Sequence, residues 1–258
     1  MDAALYEPLD GSRYRATRLT QGPWREDQQH GGPVAALLAH VARSAAPEDW
    51  VIPQITVDYL SPVPVGELDT ACEVVKKGRR TAYVLTELAA GDRTVARART
   101  WLAAPGDSPG GVTPPPEPPA PLPAESSYGR ARFRFGFQEA VELRFVAGSF
   151  RGMGPGTAWG QLRVPLVGDA PAAPIERVLA LGDFATGISA EVERDQYTYS
   201  NLDLSVHLYR QPETTWTCLD AVTIIGHAGA GVCRTTLFDE QGALGQSTQS
   251  LFVAALRH

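Results

Sequence analysis

Apolar and polar residues alternate in four consecutive runs of the first half: Ile52–Tyr59, Leu68–Lys77, Thr81–Ala89 and Thr94–Ala103. Gly66, Gly78 and Gly91-Asp92 lie between them. A period of two over such lengths predicts strands with one buried face, and glycine between them predicts the tight turns of an antiparallel meander. The same pattern returns at Ser200–Tyr209, Thr217–Ile225, Gly231–Phe238 and Leu244–Ala254. Shorter strands are predicted near Tyr14–Leu19, Val141–Phe145 and Thr157–Pro165. Ahead of each meander the alternation gives way to dense small apolar residues. HGGPVAALLAHVARSA, from His30, predicts a helix with Pro33 tolerated in its first turn. A second helix is predicted from about Pro174 to Ser189, containing IERVLALGDFATGIS. Helices so poor in polar residues are expected to be wrapped by other structure.

The two meanders form a repeat. Thr56–Leu102 and Ser205–Phe252 share one layout: an alternating strand ending near a proline, then three more strands with a polar turn before the last. Two copies of this size indicate a duplicated domain, since a solenoid needs more and shorter units. The expected division is residues 1–104, a proline-rich linker over 105–127, and residues 128–258. The segment PGDSPGGVTPPPEPPAPLPAESS cannot be helix or central strand, because proline lacks the N–H and fixes φ. It is read as an extended, semi-rigid connector.

Composition narrows the function. With 43% hydrophobic residues the core needs no staples, and a net charge of −6 without a basic stripe argues against a nucleic-acid surface. The basic run Lys76–Arg80 lies between two strands and reads as a solvated turn. Cys72, Cys218 and Cys233 are odd in number, widely spaced and set in strands, so they are expected to be small core residues. Trp24, Trp101, Trp159 and Trp216 are expected in the core or along a tunnel wall. No membrane span and no secretory pattern is evident, so the cytoplasm is the expected compartment. GHAGAG at Gly226 precedes a strand rather than a helix, which disfavours a dinucleotide fingerprint. GxSxG and HExxH are absent, so neither a serine-hydrolase elbow nor a zinc site is expected.

Asp183 is the most unusual polar residue. It sits among Leu179, Leu181, Phe184 and Ile188 on a helix expected to be buried. A buried carboxylate must be paired, hydrogen-bonded or protonated, and desolvation is how a carboxylate becomes a useful general base. The alternative is a helix cap or a solvated face. The matching stretch of the first half, HGGPVAAL, has no acidic residue, so one active site per chain is expected. Asn201, Asp203, Ser205 and His207 alternate, which predicts that all four share one face of a strand.

HGGPVAALLAHVAR, LGDFATGIS, SNLDLSVHLYRQP and GQSTQSLFV, in this order and spacing, resemble the double hotdog acyl-CoA thioesterase-like proteins of the TesB type. The resemblance spans nearly the whole chain. It implies an α+β double hotdog: two domains packed sheet to sheet, each antiparallel sheet wrapped around a central helix, the two joined as one continuous sheet. It implies that Asp183, Asn201 and Gln249 hold and activate a water that attacks a thioester. Asn201 departs from the family, which has Ser or Thr there. Thioester hydrolysis also needs donors for the developing oxyanion. A helix start supplies free N–H groups, and Gly31 and Gly32 would let a carbonyl approach, unless they serve close packing. His30 is a second polar group for the cleft, or a helix cap.

The resemblance implies an acyl-CoA (or acyl-carrier) substrate, no metal or redox cofactor, and coenzyme A only as part of substrate and product. A homo-oligomer is possible. The alternatives are a hydratase or dehydratase acting on an acyl thioester, which needs His30 facing Asp183, and a non-catalytic acyl-CoA-binding or tailoring protein.

Overall fold

The computed structural model describes residues 3–107, 116–125, 135–193 and 195–256. The predicted linker therefore lies partly outside the described residues. Before it come β1 (Tyr6–Asp10), β2 (Arg13–Ala16), α1 (Gly31–Arg43), β3 (Val51–Tyr59), β4 (Glu67–Lys77), β5 (Thr81–Ala90) and β6 (Arg93–Ala103). After it come α2 (Gly136–Ala140), β7 (Val141–Ala147), β8 (Gly156–Leu162), α3 (Pro174–Gly182), α4 (Ala185–Ile188), β9 (Tyr197–Asn201), β10 (Asp203–Leu208), β11 (Thr217–Ile225), β12 (Ala230–Asp239) and β13 (Gly242–Ala255).

Among the described residues all strands belong to one 13-stranded sheet, ordered β1-β2-β4-β5-β6-β3-β10-β13-β12-β11-β8-β7, with β9 also paired to β13. The named strand pairs are antiparallel. The two repeats meet where they begin: β3 pairs with β10, Thr56 stands opposite Ser205, and their hydroxyls are 2.9 Å apart. The two sheets form one continuous sheet, as expected, though by strand pairing and not by packing sheet to sheet. The join is edge to edge, which satisfies the open backbone groups of both inner strands.

The apolar side of the sheet covers the helices. Val34 to Ala39 of α1, Val178 to Leu181 of α3, and Ile55, Val57, Leu204 and Val206 of the seam strands share one core. α1 and α3 touch backbone to backbone at their crossing. A Cβ on Gly32 would come within 2.1 Å of the Ala180 carbonyl oxygen, so only glycine fits.

Several expectations change. The second helix does not run unbroken to Ser189. It ends at Gly182, a weak helix former, and turns through Asp183 and Phe184 before one further helical turn. The strand predicted over Ser200–Tyr209 is broken at Leu202. Asn201 stands opposite Leu251, while Ser205 stands opposite Thr248, a register shift of one residue. A one-residue shift exchanges faces. Asn201 therefore points to the helices, whereas Ser205 lies on the outer face and His207 is exposed, not on a face shared with Asn201. Cys72 is exposed rather than buried, because β4 loses its cover beyond Thr70. Trp24 is also exposed, at 57%.

Trp159 and Trp216 are buried, but on the outer face. The linker's 116–125 segment covers them: Leu122 packs on their cluster, and the Trp159 indole N–H donates to the Ala120 carbonyl at 3.2 Å. Among the described residues no helix is long and apolar enough to cross a membrane.

Candidate active site

The break after α3 places Asp183 against the start of α1. The bulge at Leu202 and the inward parity of β13 bring two amides to the same carboxylate. Asn201 Nδ2 donates to Asp183 Oδ1 at 2.5 Å, and Gln249 Nε2 donates to the same oxygen at 3.0 Å. His30 Nδ1 lies 3.1 Å from the other oxygen, Oδ2. Asp183 and Gln249 are buried, and the His30 side chain is nearly so. All three residues expected around the water, and His30 with them, are thus gathered around one carboxylate.

His30 is the N-cap of α1, and the Gly32 N–H points at its Nδ1 from 3.2 Å. His30 Nδ1 thus stands between a backbone donor, the Gly32 N–H, and a carboxylate oxygen, Asp183 Oδ2. Burial holds the His30 pKa below its ordinary value, against the opposing pull of the Asp183 charge. The Gly32 N–H, capped by this Nδ1, is a donor at a helix N-terminus.

Gly31 is set by contact. A Cβ there would lie 2.7 Å from Asp183 Oδ2 and 2.9 Å from the Tyr59 hydroxyl. Tyr59 was not singled out as a site residue from sequence. It shares the inward parity of Ile55 and Val57 on β3, which is the signal that marks it. Its hydroxyl donates to the Gly31 carbonyl at 3.0 Å, so it grips the peptide that carries the Gly32 N–H. Burial first, then the charges of Asp183 and Asp203, push the Tyr59 pKa well above its usual value and keep it a donor. The first half therefore supplies His30, Gly31, Gly32 and Tyr59; the site is not armed by the second half alone.

One polar atom here has no protein partner: Gln249 Oε1, although the residue is 1% exposed. A buried acceptor without a donor is costly and marks a place for one. Among the described residues no group of three or more His, Cys, Asp or Glu is placed to hold a metal ion.

The other end of the α1–α3 pair carries a second buried carboxylate. Glu176 Oε1 accepts from Arg43 Nη1 at 3.0 Å and lies 3.0 Å from His40 Nδ1, while Oε2 accepts the Ala173 N–H at 2.7 Å. A cavity of about 450 Å³ lies beside it.

One long antiparallel sheet packed against crossed helices is the hotdog architecture. The comparisons agree. Residues 20–103 match the acyl-CoA thioesterase N-terminal domain and residues 109–253 the acyl-CoA thioesterase C-terminal domain. The chain belongs to this family of thioester hydrolases, the TesB-type double hotdog proteins. No curated protein matches the chain. A hot dog fold protein of unknown function from Alicyclobacillus acidocaldarius superposes with a TM-score of 0.76 at 18% identity, covering 99% of this chain and 98% of that one. An acyl-CoA thioesterase II from Mycobacterium marinum gives 0.71 at 16% identity, covering 97% and 95%. The tesB protein of Mycobacterium avium subs paratuberculosis gives 0.72 at 15% identity, covering 96% of each. At these identities the structural likenesses speak for the fold.

Proposed function

We propose that this protein hydrolyses the thioester of an acyl-CoA with a water activated by Asp183. The observation that carries the reading is the orphaned Gln249 Oε1 beside a carboxylate held by two amides and an imidazole. A water donating one hydrogen to Gln249 Oε1 and the other to Asp183 satisfies the stranded acceptor and aims its lone pair outward. Asp183 takes the proton as the water oxygen attacks the thioester carbon. The Gly32 N–H at the start of α1 exchanges its His30 Nδ1 acceptor for the oxyanion, and Tyr59 and the tight fit at Gly31 fix its orientation. Collapse of the tetrahedral intermediate breaks the carbon–sulfur bond. The proton passes from Asp183 to the departing thiolate, leaving a carboxylic acid and coenzyme A. Asn201, an amide where the family carries a hydroxyl, acts by orienting Asp183 Oδ1 rather than as a reacting group.

No metal or redox cofactor enters this sequence of steps. The reading takes residues 1–104 and 128–258 as the duplicated units. It places the reaction in the cytoplasm, a choice supported by three unpaired cysteines. Further assembly into a homo-oligomer is compatible with it.

The test is thiol release from a panel of acyl-CoA thioesters, wild type against Asp183→Asn. The expected loss in kcat is about 10³-fold, the range for removing a general base. An unchanged rate rules out this role for Asp183. The 3.1 Å approach of His30 to Asp183 favours one competing reading, a hydratase or dehydratase. That reaction would change the absorbance of an enoyl thioester without freeing any thiol.

A further inference from the structure

A file of aromatic rings leads away from Asp183. The His30 ring packs on Phe184 with centroids 4.6 Å apart, on Phe137 at 5.1 Å, and on Phe135 at 6.0 Å with planes 3° apart. Phe137 and Phe184 stack at 5.3 Å with planes 9° apart. Phe150 then meets Phe184 at 6.0 Å, and Phe145 meets Phe150 edge-on at 5.2 Å. Five of the chain's eight phenylalanines stand in this one file.

Its direction is set by the fold. The Phe184 ring packs on the His30 ring that meets Asp183, so an acyl group whose carbonyl sits at Asp183 begins near this ring. Phe137 and Phe184 are buried, while Phe145 on β7, the edge strand of the sheet, and Phe150 in the loop after it are half-buried. The cavities of about 350 and 450 Å³ lie elsewhere; neither is lined by Asp183, His30 or these rings.

Aromatic walls discriminate between acyl groups. A ring placed among rings gains offset-stacked or edge-to-face contacts beyond its buried area, worth roughly a three- to tenfold preference for each good pair. A saturated chain gains the area alone, and a long one needs an open tunnel where interlocked rings now stand.

Resting on the hydrolase reading above, we infer that the acyl group this site takes is short and ends in an aromatic ring: the substrate class is an arylacyl thioester. The probes are phenylacetyl-CoA, cinnamoyl-CoA, octanoyl-CoA and palmitoyl-CoA, compared by kcat/KM. The arylacyl thioesters should exceed octanoyl-CoA at least tenfold, with palmitoyl-CoA lowest. Phe150→Leu, at a half-buried loop position that tolerates it, should lower the arylacyl-to-octanoyl ratio at least threefold. Octanoyl- or palmitoyl-CoA equal to or better than the arylacyl substrates overturns the inference, as does a ratio unmoved by both Phe150→Leu and Phe137→Leu. Should none of the four be hydrolysed, the hydrolase reading fails by itself. Calorimetric binding of the same four to Asp183→Asn then decides the specificity separately. An arylacyl-first ranking upholds it, and a flat or reversed ranking overturns it.

Discussion

The two ends of the α1–α3 helix pair use similar ingredients to opposite effect. At one end His30 approaches Asp183; at the other His40 approaches Glu176 at nearly the same distance. Glu176 is fully answered. Both oxygens have partners, and the Arg43 guanidinium compensates its charge. Asp183 is surrounded by two neutral amides and a histidine that burial keeps neutral, and next to it an amide oxygen is left without a donor. A buried carboxylate with a compensating cation is a structural clasp. One left with dipoles and a spare acceptor is arranged to exchange a proton with something that enters. A His–carboxylate pair therefore does not mark a site; the leftover valence beside it does.

The same substitution at both ends breaks the comparison most directly. Asp183→Asn is expected to lower kcat about 10³-fold while leaving the melting temperature nearly unchanged. Glu176→Gln is expected to keep kcat within about twofold and to cost about 1–3 kcal/mol of stability. That is less than the full cost of splitting a buried ion pair, because His40 and Arg43 remain partly solvated. Denaturant titration and thiol release on both variants check this. A large kcat loss in Glu176→Gln would make the second cluster catalytic.

Acid sharpens it. Burial pushes the Glu176 pKa up, but the His40 hydrogen bond, the Ala173 N–H and the charges of His40 and Arg43 outweigh burial and hold it below the ordinary value. A carboxylate lowered by folding stabilises fully above its unfolded pKa, and that stability is lost as pH falls through the folded value. The stability gap between wild type and Glu176→Gln should be widest above about pH 5 and should close on further acidification. A gap that widens as pH falls contradicts the assignment. The smallest effect is that of Tyr59→Phe, which removes the hydroxyl from the Gly31 carbonyl but touches no reacting atom. It should lower kcat about three- to tenfold with KM unchanged, which steady-state kinetics resolves.

Much of this was legible in the chain. The meander strands fall within a residue or two of their alternating runs, because each has one buried face and glycine turns. The duplication implied an interface between its copies, and Thr56 and Ser205, which open the two repeats, meet across it. Asp183 announced itself as a charge among leucines. The pairing also sharpens the contrast between halves: on β6, Thr100 holds the place that Gln249 holds on β13, too short for the same reach.

What escaped depends on events without a local pattern. The bulge at Leu202 reverses the facing of Asn201 relative to Ser205, and alternation alone cannot show it. α2 is only five residues long, too short to carry a helical period, yet it brings Phe137 against His30. The edge-to-edge join and the folding of 116–125 over Trp159 are choices of tertiary structure, and so is the turn that halts α3 at Asp183.

The central claim is that Asp183 activates water rather than attacking the thioester itself. A single turnover in ¹⁸O-water, with enzyme in excess over acyl-CoA, tests it most directly by mass spectrometry of the acid and of the peptide bearing Asp183. The account predicts one ¹⁸O in the released acid and none in the Asp183 peptide. Label in the Asp183 carboxylate after that one turnover would contradict it.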